Sequence, residues 1–278
     1  MAMAMNDVAR VFVTGAGGFI GSHLCNLLEM KGVVFYRNES DLLDIDELSK
    51  SVKSVNFNTV VHLAGRFGND LDDLYETNVK ITQNLCNAMG SGKIKKIIFA
   101  STGAVYGAPQ NGIESHETDT PHPDTLYGVA KLMTEHVLSI ASKEANIPCI
   151  TLRLPNVFGD GGKSIVNKLK QDIISHNAVS INGDGTKSRD FAHVDYVIDV
   201  IHKLLSLEQP HSEVYNLSYQ DRLTINDVLV LFAKRYTFAK QTLSEDGTTK
   251  KLHMNSCKIK TLINCRQFQS IEGYINSN

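Results

Sequence analysis

No apolar run in this sequence approaches the roughly 18 residues that a membrane-spanning helix needs, so no such span is expected. The opening MAMAMNDVAR has no apolar core of the kind a signal peptide carries, and reads as a short disordered lead-in. No CxxC occurs. The cysteines number five, an odd count, at wide spacings (Cys25, Cys86, Cys149, Cys257 and Cys265), which argues against a zinc site or a disulfide framework. Cys25, Cys86 and Cys149 lie in apolar stretches and read as small core residues, and the whole pattern points to a reducing cytoplasm. Excess positive charge is also missing: the formal net charge is −2, so nucleic acid and acidic membranes are not expected partners. There is no fixed-period repeat and no low-complexity tract. One local absence is informative. In GVVFYRNES, positions 33–38 hold no Asp or Glu, and Arg37 stands near the end of a predicted strand.

What is present is a large apolar fraction, 42% of 278 residues, enough for a sizeable core. Apolar runs at 11–13, 33–36, 59–63, 97–100 and 147–152 alternate with helix-like spacing at 20–30, 45–52, 71–89 and 127–141. In the last of these, Val129, Met133, Val137 and Ile140 fall on one stripe. Alternating β and α segments with buried-looking strands predict a parallel sheet covered by helices on both faces. After Pro155 the character changes to glycine-rich loops (NVFGDGGKS, INGDGTKSRD), predicted helices at 165–174, 194–205 and 225–236, and a strand in EVYNLS; Asp195 is a candidate N-cap. The chain therefore reads as an α/β protein, a Rossmann-type doubly wound parallel sheet with a smaller C-terminal substrate-binding lobe. Residues 1–155 form the sheet domain, with 190–218 returning to it, and 156–189 and 219–278 form the lobe.

VTGAGGFIGSHL places Gly15, Gly18 and Gly21 after a strand and at the opening of a helix. The first glycine allows a tight turn, the second lets backbone approach a pyrophosphate, and the third lets helix pack on strand. The helix N-terminus offers amide groups and partial positive charge to phosphates. Dinucleotide binding follows. An acid after the second strand would bind the ribose 2′-hydroxyl of NAD, whereas an arginine accommodates a 2′-phosphate through paired hydrogen bonds. Arg37 therefore favours NADP, with Glu39 and Asp41 close enough to keep NAD open. Further along, LYGVAKLMTEHVL spaces Tyr127 and Lys131 four apart, on one helix face. An ammonium beside a phenol stabilises the phenolate and lowers its pKa from about 10, which suits proton transfer at neutral pH. The spacing alone is weak, because Tyr236 and Lys240 repeat it; their place in a late segment sets them aside.

TGAGGFIG, HLAG, Asn78 in TNVKITQNL, FASTGAVYG, YGVAK, LRLPNVFG and GDGTKSRDFAHVD occur in that order. Together they resemble the extended short-chain dehydrogenase/reductases of the NAD-dependent epimerase/dehydratase family that act on nucleotide sugars, from about Arg10 to about Ser218. The resemblance implies Tyr127 as catalytic acid or base, Lys131 holding the nicotinamide ribose and tuning Tyr127, and Thr102 hydrogen-bonding the substrate oxygen. It implies cofactor contacts at Gly15, Gly18, Phe19, Ile20, Gly21, Leu63, Ala64 and Gly65, and at Asp41 and Leu42, an acid–aliphatic pair matching one that contacts adenine. Asn78 matches an asparagine beside the site, in either a structural or a catalytic role. Asn156 and Arg189 match residues that meet the substrate pyrophosphate, while His193 reads as a satisfied structural histidine. A homodimer through the helices at 71–89 and 127–141 is implied too.

Within the family three chemistries compete. Dehydratases follow their threonine with Asp-Glu, whereas Gly103 and Ala104 follow Thr102 here, so dehydration is not expected. Epimerases recycle a tightly bound NAD, with an acid after the second strand. The missing acid, Arg37 and SDLLD instead resemble the GDP-fucose synthase and 4-keto-reductase branch, and the short chain suggests a trimmed lobe. The expectation is a nucleotide-sugar 4-keto reductase using NADP, with a C4-epimerase holding NAD as the alternative. A regulator that binds NADP(H) without catalysis is a third reading, disfavoured because Thr102, Tyr127 and Lys131 are all retained. No metal is expected. Where the family often has two acids after His-Val, Asp195 is followed by Tyr196.

Overall fold

A computed structural model describes residues 9–90, 94–219, 221–243, 251–264 and 267–277. The N-terminal lead-in up to residue 8 and Cys265 lie outside the described residues. The chain divides into two compact units. The first takes in residues up to Ala100, Met133–Thr151 and Ile198–Glu213; the second takes in Ser101–Leu132, Leu152–Val197 and the segment from Val214 onward.

The main sheet has six strands in the order β2-β1-β3-β4-β5-β9, with β1 Arg10–Thr14, β2 Val34–Arg37, β3 Thr59–His62, β4 Lys96–Thr102, β5 Cys149–Leu154 and β9 Glu213–Asn216. The β1–β2, β1–β3 and β3–β4 pairings are parallel. Strands β3 and β5 are buried along their whole length, which is why they read as continuous apolar runs and not as alternating ones. Because β1 lies between β2 and β3, strand order reverses beside it. This is the switch point at whose carboxyl edge open α/β sheets bind ligands.

Helices α1 (Phe19–Met30), α2 (Ile45–Ser54) and α4 (Ile81–Met89) follow the first three strands. Helix α2 begins at Asp44, whose carboxylate accepts the Asp46 and Glu47 amides. Leu48 and Val52 of α2 and Leu85 and Ala88 of α4 pack with Phe12, Val60 and Ile97 of the sheet in one buried cluster. The stretch at 71–89 is not one α-helix. A short α3 (Leu71–Leu74) runs into a π-helical segment, Tyr75–Lys80, before α4 begins. Helix α5 (Leu126–Ala145) covers the predicted 127–141. Of its apolar stripe Met133 and Ile140 are exposed and Val129 and Val137 half-buried, while Ala130, Lys131, Thr134 and Leu138 are buried.

In the second unit, β8 (Ser188–His193) pairs with β6 (Asn156–Phe158), β10 (Asp221–Thr224) and β12 (Lys251–Leu252), and β7 (Ala178–Asn182) pairs in parallel with β11 (Ala239–Leu243). Helices α6 (Ile165–His176), α8 (Ile225–Ala233), α9 (Cys257–Leu262) and α10 (Ile271–Asn276) belong to this unit, while α7 (Val194–Leu205) begins in it and from Ile198 belongs to the first. Phe158, Leu169, Ile173, Phe191, Phe232 and Tyr274 form the apolar centre of the second unit. Asp195 is not the N-cap of α7: the His193 ring accepts the Asp195 amide at 3.3 Å and fills that place. Among the described residues no helix is long and apolar enough to cross a membrane.

Candidate active site

The first unit gathers the residues expected to hold a dinucleotide. Gly15 follows β1 with φ +69°, a conformation that L side chains rarely adopt. A Cβ there would stand 2.6 Å from the Ala64 nitrogen, so the turn packs directly on the backbone at the end of β3. Leu63 and Ala64 thus lie against the glycine turn. The Gly18 amide donates to the Gly15 carbonyl at 3.0 Å, and Gly18 is the N-cap of α1. No side chain caps α1, so its first amides are presented by backbone alone. Phe19 and Ile20 are half-buried on that first turn, and Gly21 is buried. A turn held open by glycine at a helix N-terminus fits a pyrophosphate.

Asn78 sits in the π-helical segment, 1% exposed. Its Nδ2 donates to the Arg66 and Leu74 carbonyls, both at 3.1 Å, while its Oδ1 has no hydrogen-bond partner among the described residues. A buried carbonyl oxygen left this way fits a donor on a bound group. Leu42 is buried in the core beneath this edge, but Asp41 turns its Oδ1 to the Leu43 amide at 2.9 Å. Arg37 ends β2, exposed, in register with Val13. The shallow groove beside it is lined by Glu39, Ser40, Glu47, Lys50 and Ser51. Two cations and two carboxylates share that groove, so its charge does not by itself select a phosphate.

The second unit holds the proton-transfer group. The Thr125 hydroxyl accepts the Gly128 amide at 3.1 Å and starts α5, which places Tyr127 in its first turn. Thr102 ends β4; its hydroxyl accepts the Ala104 amide at 3.2 Å and also shares a hydrogen bond with Tyr127. Lys131, one turn on, is 4% exposed. Burial pushes the Tyr127 phenol up to about 12, and the Thr102 hydrogen bond opposes this.

Asn156 and Arg189 occupy adjacent strands, β6 and β8, with Asn156 in register with Phe191. Asn156 Nδ2 reaches the Asp190 carbonyl at 3.5 Å, and Arg189 Nη1 donates to the Ser188 carbonyl at 3.0 Å. His193 packs against Phe158 and Tyr274, as a structural histidine does. Tyr236 and Lys240 share no helix, and Lys240 donates to Asn226.

Two glycines beyond the phosphate loop also shape the site. A Cβ on Gly128 would stand 2.5 Å from the Ala104 carbonyl, so only glycine lets α5 approach the Thr102 turn. Its signal was a glycine inside a helix start, where propensity disfavours it. A Cβ on Gly103 would stand 2.7 Å from Met254 Sδ, so any side chain there would have to displace the methionine.

The chain is similar to known proteins over most of its length. Over 96% of its length the chain superposes on 97% of a UDP-glucuronic acid 4-epimerase from Bacillus cereus, solved with UDP-glucuronic acid and NAD, at a TM-score of 0.87 and 26% identity. It is 30% identical over 244 residues to an N-acetyl-alpha-D-glucosaminyl-diphospho-ditrans,octacis-undecaprenol 4-epimerase of Escherichia coli O157:H7, covering 81% of this chain and 71% of that one. It is 28% identical over 263 residues to a dTDP-4-dehydro-6-deoxyglucose reductase of Escherichia coli, covering 79% of each. With residues 11–218 matching the family description, the chain belongs to the NAD dependent epimerase/dehydratase family.

Proposed function

We propose that this enzyme carries out redox chemistry at C4 of a sugar linked to a nucleoside diphosphate, run as a 4-epimerisation with NAD retained and recycled. The observation that carries it is the Tyr127–Thr102 pair at the head of α5, in a chain that follows a 4-epimerase from end to end. The Gly15–Gly21 turn, Leu63–Gly65 and Asn78 would hold the cofactor. When bound, NAD supplies the acceptor and donor of the hydride at C4. Thr102 orients O4. Tyr127 takes the O4 proton as C4 is oxidised and returns it when the other face of the 4-keto sugar is reduced. Lys131 supplies the charge that brings the phenol into range for the first half. Arg189, with Asn156 on the neighbouring strand, would meet the pyrophosphate. Dehydration is disfavoured because Gly103 and Ala104 supply no acid after Thr102, where elimination needs one. The partly exposed apolar stripe of α5, with Leu71 and Tyr75 also exposed, supports a homodimer through those helices.

A second reading keeps the same proton donor but consumes NADPH to reduce a 4-keto sugar. Arg37 at the end of β2 favours it, as does the reductase relative. One experiment separates the two. The purified protein is denatured and the released nucleotide identified, and the native protein is then given UDP-glucose or UDP-glucuronic acid labelled with deuterium at C4. Retained NAD and an epimer that keeps the label, with no added cofactor, support epimerisation. A requirement for added NADPH and a 4-keto substrate overturns it in favour of reduction. Cofactor binding without turnover of any nucleotide sugar overturns both.

A further inference from the structure

Thr14, the last residue of β1, lies in register with His62, the last residue of β3. Thr14, His62 and Thr82 are all fully buried, and their hydrogen bonds have a defined direction. The Thr82 hydroxyl donates to the Asn78 carbonyl at 2.6 Å, which uses its one proton. His62 Nε2 stands 2.8 Å from the same oxygen, so Nε2 carries the proton and donates. In a neutral ring Nδ1 is then the acceptor, and the Thr14 hydroxyl, 2.6 Å away, donates to it. Thr14 Oγ1 in turn faces the Ala64 amide at 3.4 Å. Phe99 stacks on the imidazole, ring centroids 5.5 Å apart, and fixes its plane.

The two ends of this chain lie at two parts of the proposed cofactor site. Thr14 precedes Gly15, and Ala64 is the backbone on which the Gly15 turn rests. Asn78 belongs to the π-helical segment, a local irregularity that needs outside support for its backbone groups. We propose that His62 is a positioning residue: as the Nε2–H tautomer it ties the phosphate turn to the π-helical segment and so sets where Asn78 stands relative to the glycine loop. It touches no substrate in this assignment and acts through Thr14 and Thr82. The inference rests on the reading of Gly15–Gly21 and Leu63–Gly65 as the cofactor cradle.

The two ring nitrogens can be tested separately. In His62→Gln the side-chain amide reaches the Nε2 position and can still donate to Thr82. In His62→Asn the shorter amide reaches the Nδ1 position and can still accept from Thr14. The readouts are NAD(H) and NADP(H) dissociation constants by titration, hydrogen exchange at 75–82, and Tm. His62→Gln is expected to weaken cofactor binding about tenfold with exchange at 75–82 unchanged, since a buried hydroxyl loses its acceptor. His62→Asn is expected to raise exchange at 75–82 about tenfold and, through the loosened Asn78, to weaken cofactor binding as well. If exchange at 75–82 is the same in the two variants, or follows Tm alone in both, His62 is a packing residue and the inference falls. Should both fail to fold, Thr82→Val keeps the shape and cuts only the Asn78 end, and must raise exchange at 75–82 and weaken cofactor binding. Wild-type protein that binds neither cofactor defeats the proposed function, while the exchange readout still decides whether the relay exists.

Discussion

Replacing Gly21 by alanine tests whether the phosphate turn is built by close packing. A Cβ on Gly21 would stand 2.1 Å from the Gly15 carbonyl oxygen and 2.9 Å from the Ala16 Cα. An ordinary carbon–oxygen contact is roughly 3.3 Å, so the turn must retreat by about 1 Å. The displaced atoms are backbone, tied to Gly18 by a 3.0 Å hydrogen bond, and no flexible side chain can absorb the shift. Overpacking of this kind costs about 1–3 kcal/mol. For a chain of this size that is a fall in Tm of roughly 2–5 °C. The paired control is Gly17→Ala, where an added Cβ meets nothing within 4 Å. It should leave Tm within about 1 °C. Thermal denaturation of both variants, with cofactor titration of Gly21→Ala, makes the comparison. Equal Tm values for the two, with unchanged cofactor affinity in Gly21→Ala, would refute the argument that the third glycine is required sterically.

Gly128→Ala should push the head of α5 off the Ala104 carbonyl, 2.5 Å away, and break the Tyr127–Thr102 contact. A misplacement of that size lowers turnover by about 10²-fold, read as kcat on the substrate identified above. Gly103→Asp should lower Tm because its Cβ meets Met254 Sδ at 2.7 Å, and Met254→Ala in the same chain should recover part of the loss. The Thr224 hydroxyl and amide hold the Asp227 carboxyl below its usual range in the capping box of α8. With a folded pKa below the unfolded value of about 3.9, its contribution is fully present above that pH and is lost as pH falls through the lower folded value. Thr224→Ala should therefore flatten the acid limb of a stability-against-pH curve measured by urea unfolding.

How much of this was legible in the sequence depends on the kind of signal. The five leading strands fall where the apolar runs place them, within two residues at either end; β3 and β5 are buried throughout, as parallel strands covered on both faces are, while β2 at the sheet edge is half-exposed. The glycine loop and YxxxK were legible for a related reason: Gly15 needs both positive φ and closeness to Ala64, and no other residue type satisfies both. The π-helical segment at 75–80 was not legible, because a stripe of helical periodicity does not register one extra residue in a turn. The stripe at Val129, Met133, Val137 and Ile140 is only partly covered, with Met133 and Ile140 exposed, since periodicity identifies an apolar face without saying what covers it. Tyr127 marks the reach of local reasoning: the lysine four residues on argues for a lowered pKa, whereas burial, which pushes the phenol up, is a property of the assembled fold and has no local signal. His62 escaped notice because its partners, Thr14 and Thr82, lie 48 and 20 residues away and meet only after the sheet forms.

The central claim is that Tyr127 moves the proton during redox chemistry at the sugar carbon. The direct measurement is turnover and cofactor affinity of Tyr127→Phe, which removes one oxygen and keeps the ring that packs at the head of α5. The account predicts cofactor binding within about twofold of wild type and turnover lower by about 10²- to 10⁴-fold. Turnover at the wild-type rate in a folded, cofactor-binding Tyr127→Phe protein would contradict it.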